Sequence, residues 1–467
     1  MSRRGFGLAM LTVALCWAGC ARDPQTVRRE HAARFGRSMA DATTALLTAR
    51  APLDLDDCIE IALERSLEIR TADLRRRLAA IDRQSAFGSF LPKIELEFAR
   101  SEFRYTPTAV VGSGVHQPTT DRATTTARIS VQQPLFVPQA YFLYLMHRSG
   151  EDMAGLLAER TRQQIALHVA ARYYRCLADA ELIARHERTL ERTRTLRWEI
   201  GAFVREGLGT SAEGAQADAL FAAARLALAD ARRSHRLHQS ELLEAMGLHP
   251  LAELTLCDQE PRAVTIPALA TAVERALLQR LELSLADREL AQRRHEVRAA
   301  LVAWLPKILG FGALTLTSDS HQYHDDNVQA GISGVLTVLD GFRNVNAYRA
   351  ARSRVRGAMI RREQRTLAIM REVLAARQAA LQSEESLAVA RQALDAARQR
   401  DAEMAARWRE GLERASDRLA AAADLAEART QAVMADYARR LALATLEDVQ
   451  GRSWYQPPVA QPEETDG

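Results

Sequence analysis

Residues that could do chemistry are few and scattered. His321-Gln322-Tyr323-His324-Asp325-Asp326 contains metal-ligand types, but it lies between two strand-like segments with no histidine pair on a rigid element. It reads as an exposed polar loop, and no metal is expected. Cys58, Cys176 and Cys257 have no metal-ligand spacing, and any disulfide among them stays open. There is no glycine-rich phosphate loop followed by lysine and no nucleophile elbow. The chain is therefore expected to be no enzyme, to carry no cofactor and to transduce no energy. What does stand out is a duplication. The only lysines, Lys93 and Lys307, sit in two copies of Leu-Pro-Lys-Ile, preceded by Phe90 and Trp304.

The elements around these copies are legible. Of 467 residues only 6% are aromatic, and Ala, Leu, Arg and Glu dominate, as in long helices. The 63 basic and 59 acidic residues alternate along helical faces without forming a block, so a nucleic-acid partner is not expected. Arg3 and Arg4, an apolar run from Phe6 to Trp17, and Ala18-Gly19-Cys20 form a secretory signal over residues 1–20. Ala18-Gly19-Cys20 resembles a bacterial lipoprotein box that would acylate Cys20; plain signal cleavage is the alternative. The Arg3-Arg4 start is also similar to a twin-arginine signal, or equally an ordinary basic start. Residues 21–52 are polar and weakly periodic, and read as a tether.

A helix capped by Asp56 or Asp57 is predicted to run to about Phe87. Two alternating strands follow, over about 93–105 and 124–134, with a bulge after Ala99 and an exposed loop over 106–122. Proline is then absent from Gln139 to His249, which implies long helices. The break falls at Arg205-Glu206-Gly207-Leu208, where Gly207 ends one helix and Thr210 with Glu213 forms a capping box for the next. The order recurs: strands over about 307–317 and 327–338, an arm from about Phe342 to Arg409, and a turn at Gly411. Ile360, Leu367, Leu374 and Leu381, seven apart, predict a coiled-coil seam. Pro92 and Pro306 are 214 residues apart and Gly207 and Gly411 are 204 apart, so the two repeats, 53–250 and 262–451, differ mainly in the loop of the strand pair. Residues 452–467 are polar and proline-rich, and expected to be disordered.

The fold class is thus mainly α with a small β part: a duplicated helix, strand, strand, long helix, helix unit. Strands of roughly ten residues match tilted outer-membrane strands. Four of them cannot close a barrel, so membrane strands would require oligomerisation. This duplicated order resembles the TolC family of outer-membrane channels, in its lipoprotein branch, across about residues 53–451. The resemblance implies a homotrimer with a twelve-stranded β-barrel in the outer membrane and an α-helical tunnel through the periplasm. It further implies a passive exit duct of a tripartite efflux or type I secretion system, with a periplasmic adaptor and an inner-membrane transporter as partners. A lipid-anchored periplasmic coiled-coil scaffold or adaptor is the competing expectation. The family turn places Gly, then Ser or Thr, then Asp at three-residue steps. Gly207, Thr210 and Glu213 match with an acid swap; Gly411 and Asp417 match, with Arg414 in the Ser/Thr place. Glu206, Glu213, Glu410, Glu413 and Asp417 could ring a closed periplasmic mouth, or be ordinary solvated helix-end charge. Tyr141, Phe142 and Tyr144 could form an interfacial belt or pack in the core. Pro92 and Pro306 are expected to set the bend from helix to strand.

Overall fold

The computed structural model describes residues 23–112, 114–258 and 265–451. The expected signal over 1–20 with its Cys20, and the expected disordered tail over 452–467, lie outside the described residues.

The segment expected to be a tether is a helix, α1 (Pro24–Arg50), begun by Asp23, whose carboxylate accepts the Gln25 and Thr26 N–H groups. Only its C-terminal turns meet a core. Thr43 and Leu47 are buried, and the Thr43 hydroxyl accepts the His249 N–H at 2.9 Å. The earlier turns carry only widely spaced large apolar residues, Val27, Phe35 and Met39, which is why apolar periodicity did not mark the helix.

Helix α2 (Leu55–Arg65) is capped by Asp54, not by Asp56 or Asp57. Asp57 N–H donates to Asp54 at 2.7 Å, and the Asp57 carboxylate accepts the Asp54 N–H at 3.2 Å. The expected single helix to Phe87 breaks at the buried, extended Ser66, and α3 (Leu67–Gly88) follows. The break makes room for Gly247. At φ +70° its backbone lies so close that a Cβ there would meet the Arg65 carbonyl oxygen at 2.6 Å.

The strands are β1 (Lys93–Glu102), β2 (Thr108–Val111), β3 (Val115–Pro118) and β4 (Ala123–Phe136) in the first repeat, and β5 (Lys307–Thr317) and β6 (Asp326–Val335) in the second. The segment 106–122 is more than a loop, because β2 and β3 pair as a hairpin. The bulge expected after Ala99 is absent, since β1 keeps register with β4 from Lys93–Gln132 to Glu102–Ala123. The irregularity lies instead between Pro134 and Phe136, where β4 meets β5 and Pro134 has no N–H for the ladder. Strand β6 ends at Val335, short of the expected 338. The four long strands form one antiparallel sheet in the order β1-β4-β5-β6.

Long helices follow each strand pair: α4 (Pro138–Arg205) and α5 (Ser211–Ala245), then α6 (Leu269–Gln279) and α7 (Leu281–Leu301) leading into β5, and finally α8 (Arg343–Arg409) and α9 (Ala415–Val449). Packing divides the chain into two units that cut across the sequence repeats. Among the described residues, one comprises 23–70, 162–258, 265–276 and 372–451; the other lies within 71–161 and 277–371 and holds the sheet. The first unit has a core of Leu53, Ile59, Ile61, Val169, Leu242, Leu243 and Met246. Tyr173 is buried there and donates its hydroxyl to the Cys257 carbonyl. Cys58, Cys176 and Cys257 are free thiols. Burial of Cys58 and Cys176 pushes both thiols up, Cys176 to about 12.

Gly247 combines a left-handed backbone with a backbone contact that cannot yield. Gly247→Ala is expected to cost at least about 2 kcal/mol of stability, read as a lowered unfolding midpoint of the purified protein. Gly207→Ala, where a Cβ meets nothing within 4 Å, should cost less.

Candidate functional site

The sheet has two faces of opposite polarity. Cross-strand rows on one face run Ile94, Val131, Gly312, Ala330 and Leu96, Ile129, Leu314, Val328. Rows on the other run Glu95, Ser130, Ala313, Gln329 and Glu97, Arg128, Thr315, Asn327. Ile94, Leu96 and Phe98 are 69%, 77% and 73% exposed, so no described residue covers them on the apolar face. The outer edges, β1 and β6, each have one neighbour only. On the polar face the Phe311 ring lies over its registered partner Gly331, where a Cβ would come within 2.9 Å. Helices are no alternative membrane element: among the described residues none is long and apolar enough to cross a bilayer.

The loops beyond the strands are clasped across the two repeats. Thr120 donates its hydroxyl to Asp319 at 2.7 Å, and the Asp121 N–H donates to Asp319 at 2.9 Å. In return, Ser320 donates its N–H and hydroxyl to Asp121 at 2.7 and 2.8 Å. His321 Nδ1 lies 3.4 Å from both carboxylates. The hydrogen bonds from Ser320 hold the Asp121 carboxyl below its usual value, and those led by Thr120 do the same for Asp319. These three side chains place ligand atoms within 4.8 Å of one another, a grouping a small cation could use. The loop histidine was visible in the sequence; its approach to Asp121 was not, because Asp121 lies in the other repeat.

At the opposite end of the strands, each proline stands immediately before a strand. Pro92 follows α3 by a short turn, and Pro306 follows a single 3₁₀ turn at Val302–Trp304. Phe87, Phe90 and Tyr144 pack edge to face at this junction, with centroids 5.8–6.4 Å apart. Tyr144 is thus engaged within the chain while Tyr141 stays exposed.

Both helical turns have the same build. Gly207 and Gly411 are left-handed, at φ +76° and +74°. Leu208 N–H returns to the Phe203 carbonyl at 2.9 Å, and Leu412 N–H to that of Arg407 at 2.9 Å. Leu208 and Leu412 project from the two tips, 71% and 70% exposed. Thr210 and Glu213 form the expected capping box: the Thr210 hydroxyl accepts the Glu213 N–H, and Glu213 accepts the Thr210 N–H at 2.8 Å. Arg414, at the start of α9, supplies no side-chain cap. Glu213 serves there too, since the Ala415 N–H donates to it and Arg414 lies nearby. Its hydrogen bonds to Thr210, with these contacts, hold its carboxyl below the usual range. Glu413 is paired with Arg407 at 3.0 Å, whereas Glu206, Glu410 and Asp417 are exposed and, among the described residues, without an ion-pair partner.

Above the tips, Leu196, Ile200 and Ala217 pack with Leu419 and Ala422, so both hairpins share one core. Asp401 of α8 is buried beside it, bonded to Arg418 of α9 at 2.6 Å and also to Arg192 of α4. Sequence reasoning missed Asp401. The signal was a carboxylate seven residues after Leu394, itself seven after Leu387, on the buried stripe of α8. That stripe, which includes Ala351, Ala358, Val373 and Ala380, is the seam within the chain. The expected seam is not: Ile360, Leu367 and Leu374 are exposed.

Residues 272–452 match the family model of outer membrane efflux proteins. That match lies in the second repeat. Likeness of fold to solved structures spans both repeats. Crystal structures of CusC align with TM-score 0.74 at 16% identity, over 85% of this chain and 92% of that one. The CmeC outer membrane channel of Campylobacter jejuni aligns with TM-score 0.75 at 15% identity, over 86% of each chain. VceC, an outer membrane protein of Vibrio cholerae, aligns with TM-score 0.73 at 17% identity, over 85% of this chain and 96% of that one. No curated protein matches in sequence. The chain has the fold of those outer-membrane proteins.

Two outcomes follow from the tip geometry. Glu213 has a lowered pKa when folded, so its contribution is complete above the ordinary glutamate value of about 4.3 and is lost as pH falls through the folded value. Amide protection at Thr210, Glu213 and Ala415 should therefore drop on acidification, and Glu213→Gln should remove that pH dependence. Asp401→Ala leaves Arg192 and Arg418 beside each other without a counter-charge, and should cost about 3–5 kcal/mol, read as a lowered thermal midpoint.

Proposed function

We propose that this protein is the outer-membrane exit duct of a tripartite efflux or type I secretion assembly. The observation that carries the proposal is the sheet, with two exposed faces of opposite polarity and two unpaired edges. In lipid every strand edge must be hydrogen-bonded, and four strands cannot close on themselves. Three copies joined edge to edge give a twelve-stranded barrel, the apolar face toward lipid and the Glu95, Glu97 and Arg128 face toward the channel. The exposed Ile360, Leu367 and Leu374 stripe supports the same conclusion for the helices, since it calls for a neighbouring copy.

In this arrangement Pro92 and Pro306 set the bend between tunnel and barrel, and the tips point into the periplasm. The tip residues Glu206, Gly207, Thr210, Glu213, Glu410, Gly411 and Asp417 form the mouth and the docking surface for a periplasmic adaptor. The partnerless Glu206, Glu410 and Asp417, repeated three times, favour cations at that mouth. Acylated Cys20 anchors the chain to the outer membrane. The duct is passive, and an inner-membrane transporter supplies the energy. A lipid-anchored coiled-coil scaffold would account for the helices, but leaves a membrane-length, two-faced sheet without a role.

The test is fractionation of cells expressing the full chain. The expected result is an outer-membrane trimer that dissociates on heating in detergent and persists in the Cys20→Ala variant. A soluble or inner-membrane monomer after loss of the lipid anchor would sink the duct and favour the scaffold.

A further inference from the structure

Helices α7 and α8 are zipped antiparallel by ion pairs. Glu289 faces Arg361 at 2.6 Å, Asp287 faces Arg362 at 2.5 Å, and Glu296 lies 4.0 Å from Arg354. At the far end Glu282 meets Arg280, Arg160 and Arg365; burial alone would raise its pKa, but Arg280 and its companions hold it at about 2. The same register sets Arg294 opposite Arg356 and Arg298 opposite Arg352. Like charges thus face each other twice on a seam built of opposite charges. All four arginines line one groove of about 310 Å³ with Val297 and Val355 between them. Among the described residues none of the four meets a carboxylate; Arg352 only stands over the Tyr348 ring, 5.9 Å from its centroid. The charge is also felt by His295, which burial and then Arg298 hold below the usual imidazole range.

The duplication does not demand this cluster. The corresponding positions of the first repeat are Ala80, Gln84, Arg148 and Asp152, and Asp152 pairs with Arg288 at 3.3 Å. Four guanidiniums around an apolar floor make a site for a polyoxygenated anion, because each planar fork can grip two oxygens. Its position selects the source. Arg298 and Arg294 lie three and seven residues before the end of α7 at Leu301, about 5 and 10 Å along the helix. Trp304, Leu305 and Lys307 then lead directly into β5. The headgroup layer beyond the hydrocarbon is about 5–8 Å thick on each side, within reach of arginine side chains from this depth.

We propose that the groove of Arg294, Arg298, Arg352 and Arg356 binds the phosphate of an anionic phospholipid headgroup at the periplasmic face of the outer membrane. The lipid phosphate supplies the counter-charge that the α7–α8 seam lacks, and fixes the depth at which the second repeat sits. This rests on the outer-membrane placement proposed above.

The test uses the full-length protein purified in detergent and given phosphatidylglycerol and phosphatidylcholine in equal amounts, with retained lipid read by native mass spectrometry. Wild type should retain phosphatidylglycerol at least about tenfold over phosphatidylcholine, a preference that falls as salt rises. The Arg294→Gln, Arg298→Gln, Arg352→Gln, Arg356→Gln variant should lose that preference with its oligomer size unchanged. If that variant fails to fold, Arg298→Gln with Arg352→Gln should lower the preference. Equal retention of both lipids by wild type, or an unchanged preference in the glutamine variants, would overturn the site. So would a wild type that inorganic phosphate stabilises but that shows no lipid preference, since the source would then be soluble. Phosphatidylglycerol preference in a protein that fractionates away from the outer membrane would count against the duct and leave the lipid site standing.

Discussion

The backbone hydrogen bond at a strand edge is the constraint from which the rest of this molecule follows. A sheet of four strands leaves two rows of N–H and C=O groups without partners, and a bilayer offers them none. In the proposed membrane placement, strands β1 and β6 are incomplete until another copy supplies the next ladder. The two-faced side-chain pattern fits the same need: a lone sheet in water has no use for an apolar face that no helix covers. Membrane-length strands, opposite faces and open edges are the three features that the proposed duct joins into one wall between copies.

The helices extend that logic by different means. Within a chain, small residues such as Ala351, Ala358 and Ala380 let helices approach closely, and the larger Ile360 and Leu367 face outward. Charge is then used sparingly and locally. Glu213 satisfies N–H groups at the starts of two helices, and so compensates for Arg414 where a capping hydroxyl would ordinarily stand. Asp401 joins α4, α8 and α9 through two arginines in the buried layer, where removing one partner costs more than the pair contributes. The α7–α8 seam departs from this economy, stacking four like charges without an acid, and that departure gives the arginine groove its meaning.

Much of this was legible in the amino-acid order because it depends on neighbours in sequence. Period-two alternation marked β4 and β6, the Leu-Pro-Lys-Ile pair marked both strand starts, and Gly207 with Thr210 and Glu213 spelled out a helix stop and start. These are properties of a few adjacent dihedrals and hydrogen bonds, so composition and spacing suffice. The helix α1 was hidden because only its last turns touch a core. The break at Ser66 was hidden because its cause, the Gly247 backbone, is far away in sequence.

The sequence by itself therefore determined the duplication, the kinds of elements, their order and the chemistry of their ends. Tertiary structure alone decided which helical stripe is buried, that Asp121 and Asp319 clasp loops of different repeats, that Asp401 bridges three helices, and that arginine faces arginine across α7 and α8. The physical reason is the range of the interactions. Caps, turns and alternation act over a few residues, whereas seams and ion networks depend on register between segments up to about two hundred residues apart, which no local pattern encodes.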